Sequence, residues 1–463
     1  MQKHVEIAQE VYTDYDALWH LVTMGVLDSD HAPSSGTSAQ TTKPIRVAMI
    51  DTSVAVDHPN LKDAINHDLS LDLFSNRLGA FSYHDPDDKL GAIDLNTATG
   101  VTAGLPRTAA ILSEFIDRLS HGSRSWVDGV QPTVSPAFSS HGTAIAGLIG
   151  GRATVESEVY GASAVQPSQI PLPYRGVDPN CEIVPISTNF DIDPESLIVA
   201  FLYAELIDAD VVVLPRTIPD PTRMYPELSQ IKIDGKSLME LTSPEELTHE
   251  MSELWNELAE LIINVSINRP VVCAGGNSNE LYGIYPANLA DDNNGIISVG
   301  SVNAKGYISS YSSHQNVTVF APSDDAEAFS SAEVRLDEQR HSYSSVGVPP
   351  INSNRKFSHF DIISTDVPGV HGYSRSPFQG TVPDAGIREF GSYYCRFGGT
   401  SAASALVGGF LALGQSSGAL CRESDGIAKK TWLLSKCVPL ANEAPDRVIP
   451  SWTGSVAFAD SRG

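Results

Sequence analysis

The chain lacks any basic surplus: 30 Lys and Arg stand against 56 Asp and Glu, a formal charge of -26 over 463 residues. Nucleic acids and anionic membrane surfaces require a cationic footprint, so both are excluded as partners. Long apolar runs are missing too. The longest, near Leu258 to Val265 and Ala402 to Leu413, fall short of the roughly 18 to 20 residues of a membrane span. Cysteine is scarce. Cys181, Cys273, Cys395, Cys421 and Cys437 are odd in number and form no C-x-x-C pair, which argues against a disulfide framework and against a zinc site. Read as reduced thiols, they give the expectation of a cytoplasmic protein. The acidic N-terminal stretch has neither the apolar core nor the small-residue cleavage site of a secretory leader, so export by that route is not expected. Repeats and biased tracts are also absent, which leaves a globular chain long enough to bury a core unaided.

What is present is an alternation of two patterns. Ile45 to Ile50, Glu182 to Ile186, Val211 to Leu214, Val271 to Ala274 and Ile296 to Val299 are short, rich in Val and Ile, and bounded by turn formers, as buried parallel strands are. Between them, Ser196 to Ala209 and Pro244 to Ile263 have helical periodicity. The second carries a capping box from Ser243 to Glu246 and an apolar stripe of Leu247, Met251, Leu254, Leu258 and Leu261. Strands alternating with helices predict an α/β fold with a mostly parallel central sheet covered by helices on both faces. Three stretches depart from this scaffold and read as insertions, near residues 74–135, 323–357 and 373–393. The first contains one amphipathic candidate, with Ile111, Leu112, Phe115, Ile116 and Leu119 on one side.

Four short sequences carry chemistry that the scaffold does not need. Asp51 ends the first strand, at the edge where open parallel sheets build their sites, although a lone strand-end Asp is more often a turn former. In His141-Gly142-Thr143 an imidazole stands at the mouth of a small-residue helix whose Gly142 and Ala146 or Gly147 permit close packing; a neutral imidazole is the usual general base. Gly275-Gly276-Asn277 follows another strand, where an Asn amide is either a turn former or a donor to a developing oxyanion. Phe397-Gly398-Gly399-Thr400-Ser401-Ala402-Ala403-Ser404 sets Ser401 at the start of an apolar helix, where unpaired N–H groups favour negative charge.

In that chain order, Asp, His, Asn and Ser with their neighbours resemble the subtilisin family of serine proteases, and flanks such as Asp57-His58-Pro59 and Tyr285-Pro286-Ala287 strengthen the match. The resemblance runs over roughly residues 44 to 438. It implies a subtilisin-like three-layer fold, a catalytic triad of Asp51, His141 and Ser401, and Asn277 as oxyanion donor. Substrate contacts would fall at Pro215, Arg216, Thr217, Gly275 and Gly276. The implied reaction is endopeptidase cleavage of protein or peptide substrates through an acyl-enzyme, with no required cofactor. Structural calcium is frequent in the family, but no loop can be assigned to it.

The intervals Asp51 to His141, His141 to Asn277 and Asn277 to Ser401, 90, 136 and 124 residues, are long for the family and match the insertions. Residues 1–43 are too short for the usual folded inhibitory pro-domain, 44–440 form the peptidase domain, and 441–463 read as a C-terminal tail. An unguarded cytoplasmic endopeptidase needs restraint, so the insertions are candidates for gating or for docking a regulatory partner protein. The sharpest departure is Val213-Leu214-Pro215-Arg216-Thr217, where relatives place a Ser-Leu-Gly segment that lines the first specificity pocket. Pro215 has no N–H to offer. Arg216 is either a pocket-rim cation favouring acidic side chains or a solvated loop charge. An alternative to catalysis is a silent subtilisin-fold protein that binds peptides or partners. An α/β-hydrolase is excluded by the lack of a G-x-S-x-G elbow around Ser401.

Overall fold

One-residue alternation along each central strand divides its side chains between two cores. In β1 (Arg46–Asp51), Val47 and Met49 enter one core while Ala48 and Ile50 enter the other; β5 (Val211–Leu214) does the same with Val211 and Val213 against Val212 and Leu214. A strand buried on both faces must be flanked on both, and the flanks are helical. In a computed structural model, described over residues 17–41, 43–73, 77–78, 98–121, 136–156, 170–172, 174–188, 194–218, 220, 232–233, 236–237, 249–325, 334–337, 342–345, 358, 360–367, 372–373 and 393–459, the strands form one sheet. Its order is β8-β7-β6-β5-β1-β4-β2-β3, with β2 (Leu71–Asp72), β3 (Arg77–Leu78), β4 (Glu182–Ser187), β6 (Val271–Ala274), β7 (Ile296–Val302) and β8 (Val319–Pro322). All pairings are parallel except that of β2 with β3 at the edge. Strand order reverses at β1, which has β4 on one side and β5 on the other.

On one face α1 (Pro106–His121), α3 (Pro194–Leu206) and α4 (His249–Asn268) cover the sheet; on the other lie α2 (Pro136–Gly150) and α5 (Gly399–Ser416). The amphipathic candidate is α1: Leu112 and Phe115 are buried, Ile111 and Ile116 pack beside them, and the side chain of Leu119 lies outside the described residues. The expected strands recur within three residues of their bounds. The helix expected over Pro244 to Ile263 is described from His249 and runs on to Asn268, while Ser243 to Leu247 lie outside the described residues. Its buried stripe uses Trp255, Leu258, Leu261, Ile262 and Val265, whereas Met251 is 38% exposed.

Helix α5 packs on β5, β6, β7, β8 and α2, and every residue from Thr400 to Ser416 is buried. Its Gly, Ala and Ser content explains how: small side chains let a helix axis approach a sheet, while Leu406, Val407, Phe410, Leu411 and Leu413 fill the space between. Each such apolar side chain contributes about 1.5–3 kcal/mol on burial. Described segments from the first and last parts of the chain are woven into this side. β9 (Ile362–Thr365) pairs antiparallel with β10 (Tyr394–Phe397), which leads into α5, and β11 (Cys437–Pro439) pairs with β12 (Val448–Pro450). Trp452 meets Phe410 at 5.7 Å, donates its backbone N–H to Met24 O and its indole N–H to Ser35 O, and so ties 17–41 to 441–459.

Candidate active site

The groups singled out by the sequence converge on the carboxyl edge of the sheet. Asp51 is the last residue of β1 and fully buried. His141 lies in the second turn of α2, one turn further in than the helix mouth. Its Nδ1 stands 2.8 Å from Asp51 Oδ1 and 2.9 Å from Oδ2.

The neighbours of His141 explain why the helix meets the strand end at this distance. Gly142 donates its N–H to Thr52 Oγ1 at 2.9 Å, and Thr143 Oγ1 accepts from Ala55 N at 2.9 Å. A Cβ on Gly142 would stand 2.4 Å from Thr52 O, so only glycine permits the approach. From the other side, the Thr365 hydroxyl donates to Thr143 O and the Ser364 hydroxyl to Ala144 O, fixing α2 on β9. The ring of Phe397 meets the His141 ring edge-on at 5.4 Å.

Ser401 is the third residue of α5 and 8% exposed. Its helix has no side-chain cap of its own, since Gly398 occupies the capping position. Two strand ends supply the missing acceptors. Asp324, just after β8, accepts the Gly399 N–H at 3.0 Å and the Tyr311 hydroxyl at 2.6 Å; burial pushes its carboxyl above the usual range. Asn277, after β6, accepts the Thr400 N–H at 2.8 Å and the Thr400 hydroxyl at 2.9 Å through Oδ1. Thr400 Oγ1 in turn accepts the Gly276 N–H at 3.1 Å. With Oδ1 so engaged, the Nδ2 amide of Asn277 is the group left to donate elsewhere, and it lies beside Gly399, whose φ is +78.

His141, Asn277 and Ser401 line one cleft of about 460 Å³, together with Arg216, Thr217 and Arg396. Of the other residues expected at the substrate, Pro215, Gly275 and Gly276 are not among its lining residues. Gly275 is engaged with its neighbours, its N–H donating to Val299 O and its carbonyl accepting from the Ser313 hydroxyl. The solvated-loop reading of Arg216 is overturned: the residue is 6% exposed and Nη1 donates to Thr188 Oγ1 at 3.0 Å. The loop after β5 turns inward here, and Thr188 is itself tied by its N–H to Asp51 O.

Sequence reasoning missed Thr400, Thr52, Asp324 and Arg396. Thr400 had a signal, standing inside the most specific motif. Asp324 had none, because it falls within a stretch that reads as an inserted loop. Among the described residues no three His, Cys, Asp or Glu side chains gather as a metal site would need, and no helix is long and apolar enough to cross a membrane.

A mostly parallel sheet between two helical layers, with Asp, His, Asn and Ser delivered to its carboxyl edge in that chain order, defines a subtilisin-like α/β protein. The chain belongs to the subtilase family, whose model matches residues 42–423. Among solved structures it is similar to a lanthipeptide protease, at 15% identity and a TM-score of 0.50, over 97% of this chain and 94% of that one. It is also similar to the nisin leader peptidase NisP from Lactococcus lactis, at 14% identity and a TM-score of 0.48, again over 97% and 94%. No curated protein matches the sequence.

Proposed function

We propose that the chain is a serine endopeptidase. The observation that carries this reading is the bond pair from His141 Nδ1 to the Asp51 carboxylate, in a cleft that His141 shares with Ser401 and Asn277. With Nδ1–H held by Asp51, the lone pair of the imidazole resides on Nε2, which takes the Ser401 proton as Oγ attacks the peptide carbonyl. The oxyanion accepts from Asn277 Nδ2 and from the Ser401 N–H at the helix start. His141 then passes its proton to the departing amine, leaving an acyl-Ser401 ester, and a water molecule activated by the same base hydrolyses it. Asp51 stabilises the imidazolium without taking a proton. These steps need no metal.

The substrate is a protein or peptide lying over Arg216 and Thr217, with Pro215, Gly275 and Gly276 as neighbouring contacts. The compartment is cytoplasmic, in keeping with five free cysteines, and the inserted stretches dock a regulatory partner. Labelling with a fluorophosphonate probe tests the chemistry. The protein should label stoichiometrically and Ser401→Ala not at all. A folded protein that takes no label would instead be the silent peptide-binding reading, motivated by Pro215 in the substrate segment.

A further inference from the structure

We propose that Asp324 and Tyr311 are positioning residues for the oxyanion donors, holding the start of the Ser401 helix and the Asn277 loop in one register, an inference that rests on the peptidase reading. The two donors belong to separate parts of the chain: Ser401 is the third residue of α5, and Asn277 follows β6. An oxyanion donor acts only over roughly 2.7–3.1 Å, so the helix start and the loop must keep a fixed relation. The bonds from Thr400 to Asn277 Oδ1 orient the Asn277 amide, but they do so only once the loop and the helix are themselves in place.

Tyr311 joins the two bodies. Its backbone carbonyl accepts the Asn279 N–H at 2.6 Å, two residues past Asn277, and two residues on from Tyr311 the Ser313 hydroxyl donates to Gly275 O at 3.0 Å. The Tyr311 hydroxyl reaches the helix. It donates to Asp324 Oδ1 at 2.6 Å, and the Gly399 N–H is shared between that oxygen and the hydroxyl at 3.0 Å each. Gly399 is held at its carbonyl as well, which accepts the Ser323 hydroxyl at 2.9 Å. Burial and the neighbouring Asp324 carboxyl push the Tyr311 phenol up, so it keeps the proton that it donates. A Ser, Thr, Asp or Asn at the capping position would satisfy the helix N–H groups locally, yet it would leave the helix unattached to the loop. This chain has Gly398 there, and a Cβ on Gly398 would run into the Asp324 carboxyl. The cap is thus supplied from 75 residues away, by a side chain bonded to the residue that also holds the Asn277 loop.

The test is saturation kinetics of fluorophosphonate labelling on the full-length protein. Asp324→Ala should slow the maximal rate by about tenfold or more, as displacing an oxyanion donor does, with the half-saturating probe concentration unchanged within about twofold. Asp324→Asn should restore the rate to within about threefold of the parent, because an amide oxygen in the place of Oδ1 accepts the same N–H and O–H. Tyr311→Phe should also slow labelling, and the double variant Asp324→Ala, Tyr311→Phe should be no slower than Asp324→Ala alone, since the two act as one unit. The control is Asp425→Ala, which removes the cap of α6 (Gly426–Ser435), where Asp425 accepts the Ala428 N–H at 2.7 Å; it should cost about 1 kcal/mol of stability and leave the labelling rate unchanged. Asp324→Ala labelling within twofold of the parent, Asp324→Asn as slow as Asp324→Ala, additive effects in the double variant, or an Asp425→Ala protein slowed alike would each overturn the proposal. If circular dichroism shows Asp324→Ala unfolded, Asp324→Asn and Tyr311→Phe decide, the first labelling near the parent rate and the second below it. Hydrogen exchange gives a readout apart from the chemistry: the Gly399 amide should exchange about tenfold faster in Asp324→Ala and near the parent rate in Asp324→Asn, and unchanged exchange in Asp324→Ala counts against the pair. A parent protein that takes no label removes the peptidase reading, while the exchange rates still report whether the pair holds the helix start, so the two failures are distinguishable.

Discussion

Replacing Gly399 by alanine should impair the site far more than the fold. The residue has φ +78, and holding an alanine there costs about 1–2 kcal/mol. At roughly 2.1 cal/mol/K per residue, the unfolding entropy of a chain this long approaches ~1 kcal/mol/K, so Tm should fall by only about 1–2 °C. The added Cβ, however, would stand 3.0 Å from Asn277 Nδ2, 3.4 Å from Oδ1 and 3.5 Å from Cγ. The amide must recede by a few tenths of an ångström, out of the roughly 2.7–3.1 Å range in which an oxyanion donor acts, and losing one donor costs about 10²–10³-fold. The fluorophosphonate labelling rate should therefore drop by about 10- to 100-fold. Gly454→Ala is the control, since Gly454 has φ +76 with nothing within 4 Å of the added Cβ; it should show the same small change in Tm and an unchanged labelling rate. A Gly399→Ala protein that labels within twofold of the parent would refute both the donor role of Asn277 and the steric reasoning.

Asn277→Ala should fold, because the side chain is exposed on the cleft side, and should lose about 10²–10³-fold in labelling rate, as removal of the corresponding donor does in subtilisin; near-full reactivity would take Asn277 out of the chemistry. Gly142→Ala drives a Cβ into Thr52 O and Ser53 O, at 2.4 and 2.8 Å, and should destabilise by about 3 kcal/mol in denaturant titration while abolishing labelling. Lys429, 2% exposed, has its ammonium pushed down by burial to about 8. Between that value and the unfolded value of 10.5, the unfolded chain holds the extra proton, so stability rises with pH across this window, by up to about 1.4 kcal/mol per pH unit. Lys429→Met should therefore be more stable than the parent near pH 7, with the advantage shrinking as pH rises above 8; a constant difference would contradict it.

The sheet was legible because two-sided burial writes itself as short Val and Ile runs, Asp51 and Asn277 because each is a polar residue at or just past the end of such a run, and His141 and Ser401 because each leads into a small-residue apolar stretch. Helix α4 was legible only in part: its period was visible, but Met251 and Trp255 show that periodicity alone did not decide which residues of the stripe face the core. The supporting contacts were not legible at all. Asp324 to Gly399 and Asn277 to Thr400 join positions 75 and 123 residues apart in sequence, and no local pattern records a hydrogen bond made across the fold. Arg216 was left between two readings for a related reason. Its charge allowed water or a pocket rim, and only the path of the loop after β5 reveals that the residue is buried at the cleft.

The total burial of α5 governs how this protein is lost. Amides from Ala402 to Ser416 sit between the sheet and α2, so they can exchange with solvent only when the whole domain opens. Ser401 is carried on that same segment. A damaged or heated sample should then contain fully reactive molecules and inert ones with few in between, and the count of titratable serines should track the fraction of chains still folded.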